Sequence, residues 1–208
     1  MQKPPPIKAN YAFKPIAGQS LRPNQTNVPQ RLNAALDLGL STMRIRKEVA
    51  SDTSAVEAVT IAAFQNAAHT DHTEQFIVRD LRKFGQLSVS LVAVENYLII
   101  GHVAVSPVTI SDGAEAWYGL GPISVLPERQ RQKVGARLME HALLELRTLG
   151  AAGCVVLGDP RFYSRFGFSV EHSLVLPGVP EEYFQAISFN GALPTGVVSY
   201  HAAFSAKV

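Results

Sequence analysis

Cysteine is nearly missing from this 208-residue chain. Cys154 stands alone, which excludes an intrachain disulfide and any cysteine-cluster metal site. A lone thiol suits a reducing, cytoplasmic setting. Long apolar runs are missing as well: no stretch approaches the ~18 uninterrupted apolar residues of a membrane span, which excludes a transmembrane helix. Charge is sparse at 17% of residues, with a net of +2. Apolar residues nonetheless make up 47%, too many for an intrinsically disordered chain. The length fits one domain with a full core plus an extra segment.

Acid is missing from one end. Residues 1–42 hold Lys3, Lys8, Lys14, Arg22 and Arg31 against Asp37 alone, a net of +4, which leaves −2 for the remainder. The body has no basic bias, so strong nucleic-acid binding by it is not expected. Pro4-Pro5-Pro6, Pro15, Pro23 and Pro29 punctuate the same segment and favour extended backbone. Residues 1–42 therefore read as a basic, proline-rich arm, disordered or loosely docked. A secretory signal is not expected, because no apolar core followed by small residues is present. A transit peptide, a translation start at Met43, and a tether to an acidic partner or nucleic acid are the other readings.

From Met43 to Val208 strands and helices alternate, giving an α/β (α+β) class with a mixed sheet. Met43–Val49 alternates as a half-buried strand. Ser54 with Glu57, and Asp71 with Glu74, have the spacing of capping boxes that open two helices. Ser88–Val94 and Leu98–Val108 read as a hairpin joined through Glu95-Asn96. Ala116–Val125 is a further strand, and its Gly119 and Gly121 predict a bulge or a close backbone approach. A long helix is expected from Pro127 to Leu149, capped by Gly150, followed by an apolar strand from Cys154 to Leu157. Pro160–Phe166 reads as a short helix, residues 171–196 as a long irregular segment, and Val197–Phe204 as a final strand. An exposed edge on that last strand would admit a homodimer.

The informative stretch runs from Ile123 to Leu138. A buried strand passes through a proline-stopped turn into a helix N-terminus, where unpaired N–H groups and the positive end of the helix dipole coincide. Arg129, Arg131 and Lys133 add positive side chains, and Gly135 lets a ligand approach the backbone. An anion site, most simply for phosphate, is one reading; an amphipathic helix with a solvated basic first turn is the other.

Gln130-Arg-Gln-Lys-Val-Gly135-Ala136 resembles the acyl-CoA pyrophosphate signature of the GNAT superfamily of N-acetyltransferases. Phe162-Tyr-Ser-Arg-Phe-Gly-Phe168 is similar to that superfamily's second signature. Trp117–Val125 and Gly153–Pro160 resemble the YhbS-type subgroup of predicted acetyltransferases. The resemblance covers about Met43 to Phe204 and implies a mixed, strongly twisted sheet flanked by helices. It implies acetyl transfer from acetyl-CoA, as co-substrate and without a metal, to a primary amine in a ternary complex. The donor would lie on Gln130, Arg131, Gln132, Lys133, Val134, Gly135 and Ala136, with its pantetheine along Ile123, Ser124 and Val125. Where the signature has its first glycine this chain has Lys133, which either crowds the loop or pairs with a phosphate.

Catalysis then needs a donor to the thioester oxygen, expected from a backbone N–H near Ser124 or Val125. Tyr163 stands where the family places the acid that protonates the departing thiolate; packing in the Phe162, Phe166 and Phe168 cluster is its plain structural alternative. Glu74 and His72 are the candidates for lining an acceptor pocket, although capping explains Glu74 as well. His102 reads as a half-buried strand histidine, and Cys154 as a small buried hydrophobe rather than a nucleophile. Asp159 before Pro160 reads as a helix cap, and Tyr183 and Phe184 as walls of an acceptor site. The acceptor is a small-molecule or protein amine. A non-catalytic acyl-CoA-binding sensor is the competing function.

Overall fold

The computed structural model describes residues 43–66 and 72–205, so the basic arm and Asp71 lie outside the described residues. The elements are β1 (Arg44–Lys47), α1 (Thr53–Phe64), α2 (Glu74–Lys83), β2 (Val89–Glu95), β3 (Leu98–Ile110), β4 (Trp117–Val125), α3 (Val134–Thr148), β5 (Gly153–Leu157), α4 (Pro160–Tyr163), β6 (Leu174–Val175), β7 (Phe184–Ser188) and β8 (Gly196–Tyr200). The sheet runs β1-β2-β3-β4-β5-β7, with β8 on the distal half of β3 and β6 beside β8. It is mixed: β4 pairs with β5 in parallel and β6 with β8 in parallel, the rest antiparallel.

Each face has its own cover. Leu138, Met139, Ala142 and Leu146 of α3 lie over Leu91, Ala93, Val103 and Val105 on one face. Val56 of α1 and Val78 of α2 lie over Val92, Val94 and Ala104 on the other. These are alternate residues of β2 and β3, as strand periodicity requires. The β2–β3 turn places Asn96 and Tyr97 at φ 49° and 64°, the left-handed pair that a two-residue hairpin needs.

Several sequence expectations change. The Ser54/Glu57 capping box does not form, and the Asp71/Glu74 box involves Asp71, outside the described residues. Helix α1 starts at Thr53 after a 3₁₀ turn at Ala50–Asp52, whose Asp52 carboxylate accepts the Val49 N–H at 2.9 Å and pairs with Arg46. Thr73 precedes α2, so Glu74 is the first helical residue rather than the third, and its side chain is buried. The long helix begins at Val134, not at Pro127, because Arg131 and Lys133 adopt left-handed backbone. Residues 171–196 contain β6 and β7, and Phe184 is core opposite Leu157 rather than a pocket wall. The last strand ends at Tyr200 rather than Phe204; β3 pairs with its Val198–Tyr200 and β6 with its Gly196 and Val197.

A buried polar cluster ties β1 to its neighbours. Glu48 accepts from Arg82 at 2.6 Å and from the Ser90 hydroxyl, and His102 Nε2 lies 2.8 Å from Ser90 Oγ. The single Ser90 hydrogen goes to Glu48, so His102 must donate from Nε2; its Nδ1 lone pair meets no partner among the described residues. The histidine is thus fully buried, not half-buried. Burial pushes the Glu48 carboxyl up, but His102, Ser90 and Arg82 outweigh it and hold it at about 2. Burial also lowers His102, beyond what Glu48 restores.

Folding therefore lowers both pKa values from their ordinary 4.5 and 6.5. Below pH 6.5 the unfolded chain takes up protons that the folded chain refuses, so stability falls as pH drops. Melting temperature should decline first through the His102 range, then further between pH 4.5 and 2. Glu48→Gln should cost about 1.5 kcal/mol at neutral pH, since Ser90 and the partly exposed Arg82 lose a charged acceptor. Thermal melts across pH test both; a Glu48→Gln variant that melts like the parent refutes the cluster's role.

Candidate functional site

The site is built where β4 loses a neighbour. Its ladder with β5 comprises Trp117, Tyr118 and Gly119 against Gly153, Cys154 and Val155. From Gly121 to Val125, β4 has no strand beside it on that side among the described residues, while β3 continues to pair on the other. A register shift makes this divergence possible: Val103 faces Ile123 but Val105 faces Leu120, so β4 carries one extra residue at Gly121-Pro122. The bulge expected from the glycines is thus present. Proline contributes by lacking an N–H for the ladder.

Strand parity selects which backbone groups face the opening. Leu126 N–H donates to Ile100 O at 3.0 Å, toward β3. Main-chain groups alternate sides along a strand, so Ile123 and Val125 turn theirs toward the opening and Ser124 turns its own to β3. The Ser124 side chain is also occupied: its hydroxyl donates to Thr60 Oγ1 at 3.3 Å beneath α1. Of the two donors expected from sequence, Val125 is the one that faces the gap.

Beyond β4 the chain turns through Pro127–Arg129 into α3. Arg131 and Lys133 adopt φ of 62° and 65°, conformations in which L-residues are strained by roughly 1–2 kcal/mol. The turn places Lys133 at the N-cap of α3 without a side-chain cap, and the first turn contains no acid. Helix geometry leaves the N–H groups of Val134, Gly135 and Ala136 without intrahelical acceptors. Arg131, Gln132 and Lys133 are exposed, whereas Val134 is buried in the core. Gln130 donates to Val125 O at 3.2 Å and Gln132 to Glu128 O at 2.9 Å, so both glutamines brace the turn itself.

Space lies beside these donors. A Cβ on Gly135 would sit 3.7 Å from Phe162, 3.7 Å from Val125 and 3.9 Å from Ile123, ordinary contact distances. Packing within the protein therefore does not demand this glycine. From Ala136 a groove of about 430 Å³ continues along α3, lined by Glu140, Leu143, Arg147, Arg165 and Phe166.

Tyr163 is buried in the core on the α3 side. A Cβ on Gly158 would fall 2.2 Å from its ring, so the glycine makes room for it. Phe162 and Phe168 pack edge-on at 4.9 and 6.0 Å. Burial pushes the phenol well above its ordinary value, with nearby Cys154 and Asp159 adding to the shift. Tyr163 is therefore both packed and proton-bearing at neutral pH.

Burial pushes Cys154 up to about 12, which leaves it a thiol and not a nucleophile. Asp159 caps α4 through the Arg161 N–H at 2.9 Å, as the sequence suggested. Of the two acceptor-pocket candidates, Glu74 is buried on α2 and His72 is exposed just before it. Among the described residues no group of His, Cys, Asp or Glu could hold a metal ion. No described helix is long and apolar enough to cross a membrane.

Residues 86–170 match the family model described as an acetyltransferase (GNAT) domain. YhbS of Escherichia coli K12, an uncharacterized N-acetyltransferase, is 35% identical over 78% of this chain and 99% of its own. A GNAT family acetyltransferase from Brucella melitensis, solved in complex with acetyl-CoA, is 44% identical with a TM-score of 0.71, covering 79% of this chain and 99% of that one. The Escherichia coli YhbS structure, in complex with CoA, also has a TM-score of 0.71, at 34% identity over 79% and 92% of the two chains.

Proposed function

The chain belongs to the GNAT N-acetyltransferases, and from that premise we propose that residues 43–208 transfer the acetyl group of acetyl-CoA directly to a primary amine. The observation that carries this reading is the meeting of three features: the uncapped, acid-free start of α3, the unpartnered side of β4, and the buried phenol of Tyr163. The N–H groups of Val134, Gly135 and Ala136 bind the donor's pyrophosphate, and Lys133 supplies a cation beside them. The arginines of the groove along α3 suit the anionic nucleotide end. The free side of β4 pairs with the pantetheine amides as a strand would. Val125 N–H donates to the thioester oxygen as charge builds there.

The amine attacks as the free base, forming the amide bond while the carbon–sulfur bond breaks. Tyr163 gives its proton to the departing sulfur and regains one from the proton that the nitrogen sheds. Both partners must be bound together, since Cys154 cannot carry the acetyl group. A cytoplasmic setting fits the single buried thiol.

Calorimetry with acetyl-CoA, CoA and ATP tests the donor site. Binding of both CoA species in the micromolar range, and none of ATP, is expected. Absence of CoA binding refutes the reading, and binding without turnover on any amine leaves the sensor function in its place.

Lys133 offers a sharper probe. Lys133→Gly removes the left-handed strain and should stabilise the fold by up to about 1 kcal/mol, net of glycine's extra freedom when unfolded. It also removes a cation worth about 1 kcal/mol at 4 Å in water, so acetyl-CoA affinity should fall about fivefold. Tighter binding by the glycine variant would mean that the lysine obstructs the site.

A further inference from the structure

Gly119 is required by a side chain from another strand. A Cβ there would fall 2.3 Å from Tyr200 Cε1 and 2.7 Å from Val108 Cγ1, so β4 is reduced to backbone where the Tyr200 ring crosses it. The crossing lies at Gly119↔Val155, the last pair of the β4–β5 ladder, hence at the mouth of the opening. Tyr200 sits on β8 opposite Val108, and Phe204 packs on its ring with centroids 4.6 Å apart.

The face it occupies is settled by β5. Val155 belongs to the cluster on which Tyr200 packs, whereas Cys154 belongs to the cluster of Tyr163 and α3. Consecutive strand residues point to opposite faces. The two phenols therefore reach the opening from opposite sides of the sheet, Tyr163 from the α3 side and Tyr200 from the other. Burial holds the proton on Tyr200, and Cys154 and Tyr163 lie near enough to add to that effect.

The Tyr200 hydroxyl is buried and has no hydrogen-bond partner among the described residues. Neither has Ser106 Oγ, whose residue faces Gly119 across the β3–β4 ladder and shares a strand face with Val108. Two buried hydroxyls without partners cost stability that a folded domain has no structural reason to forgo. With the Tyr200 ring against Gly119 and Ser106 paired across from that glycine, at the end of the β4–β5 ladder, they are explained by a polar group that enters between the strands.

We infer that Tyr200 and Ser106 receive the acceptor: their oxygens accept the two N–H bonds of a primary amine and turn its lone pair through the opening onto the thioester carbon. This inference rests on the acetyl-transfer reading above and adds its acceptor side. A neutral phenol and a neutral serine favour the free-base amine, the form that attacks. A secondary amine has one N–H and leaves one hydroxyl unpaired, so the pair selects primary amines. Tyr200 and Ser106 take no net proton: the nitrogen–carbon bond forms, the carbon–sulfur bond breaks, sulfur takes the Tyr163 proton, and the proton that nitrogen sheds restores that phenol.

The test uses the full chain, with n-butylamine and N-methylbutylamine as probe acceptors and release of the CoA thiol as the readout. Tyr200→Phe should bind acetyl-CoA like the parent and melt at or above its temperature. Its kcat/KM for n-butylamine should fall at least tenfold, and its preference over N-methylbutylamine should shrink. Equal thiol release by parent and variant, at any rate, overturns the inference. So does a lower melting temperature, because the hydroxyl would then be structural. Should Tyr200→Phe fail to fold, Ser106→Ala takes its place, with the same fall expected and the same results overturning the inference. Failure of the parent to bind acetyl-CoA would instead refute the acetyl-transfer reading itself.

Discussion

Gly135→Glu is expected to weaken acetyl-CoA binding at least 100-fold while the protein folds normally. The site at Gly135 is open, with its nearest neighbours at 3.7 Å, so a side chain enters without displacing Phe162 or Val125. A glutamate there also suits the helix: an anion near a helix N-terminus gains about 0.3–1 kcal/mol, and losing a helical glycine gains a similar amount. The same carboxylate would occupy the space over the Val134, Gly135 and Ala136 N–H groups and repel a pyrophosphate. Stability should therefore rise as binding disappears. Calorimetry and a thermal melt on one preparation separate the two effects, and normal binding by this variant would remove the pyrophosphate assignment.

Tyr163→Phe should lower kcat about 100-fold, the lower range for loss of a positioned general acid. Acetyl-CoA affinity should stay within about twofold, because the phenyl ring keeps the contacts with Phe162 and Phe168 and still fills the space left by Gly158. Burial keeps the phenol protonated across the neutral range, so the donor form is always present. A thiolate leaving into the same apolar surroundings is made more basic by desolvation, which favours the transfer. Steady-state kinetics at saturating donor decide the matter; an unchanged kcat would leave Tyr163 a packing residue only.

Much of this site was legible from local signals. Proline at 127, glycine at 135 and the basic residues between them mark a strand running into a helix start, and the structure has that transition. Asp159-Pro160 marked a helix cap, and the Arg161 N–H is where that reading puts it. The errors were local too. The Ser54/Glu57 box failed because α1 already starts at Thr53, after Asp52, which pairs with Arg46 on β1, a tertiary neighbour. The segment 171–196 looked irregular because its strands are short, and β7 is held by pairing to β5 rather than by a pattern of its own. No sequence signal marked Tyr200; the nearest clue was Gly119, whose reason lies in another strand.

Periodicity, end signals and motif spacing act between near neighbours, and through them the sequence alone determined the order of most elements, the turn into α3 and the family resemblance. Tertiary structure alone decided that Val125 rather than Ser124 faces the opening, because that depends on which side of β4 pairs with β3. It alone decided that Lys133 takes the left-handed backbone, since the turn must connect a fixed strand to a fixed helix. And it alone carried the Tyr200 ring across Gly119, because the pairing of β8 with β3 joins residues that no local rule connects.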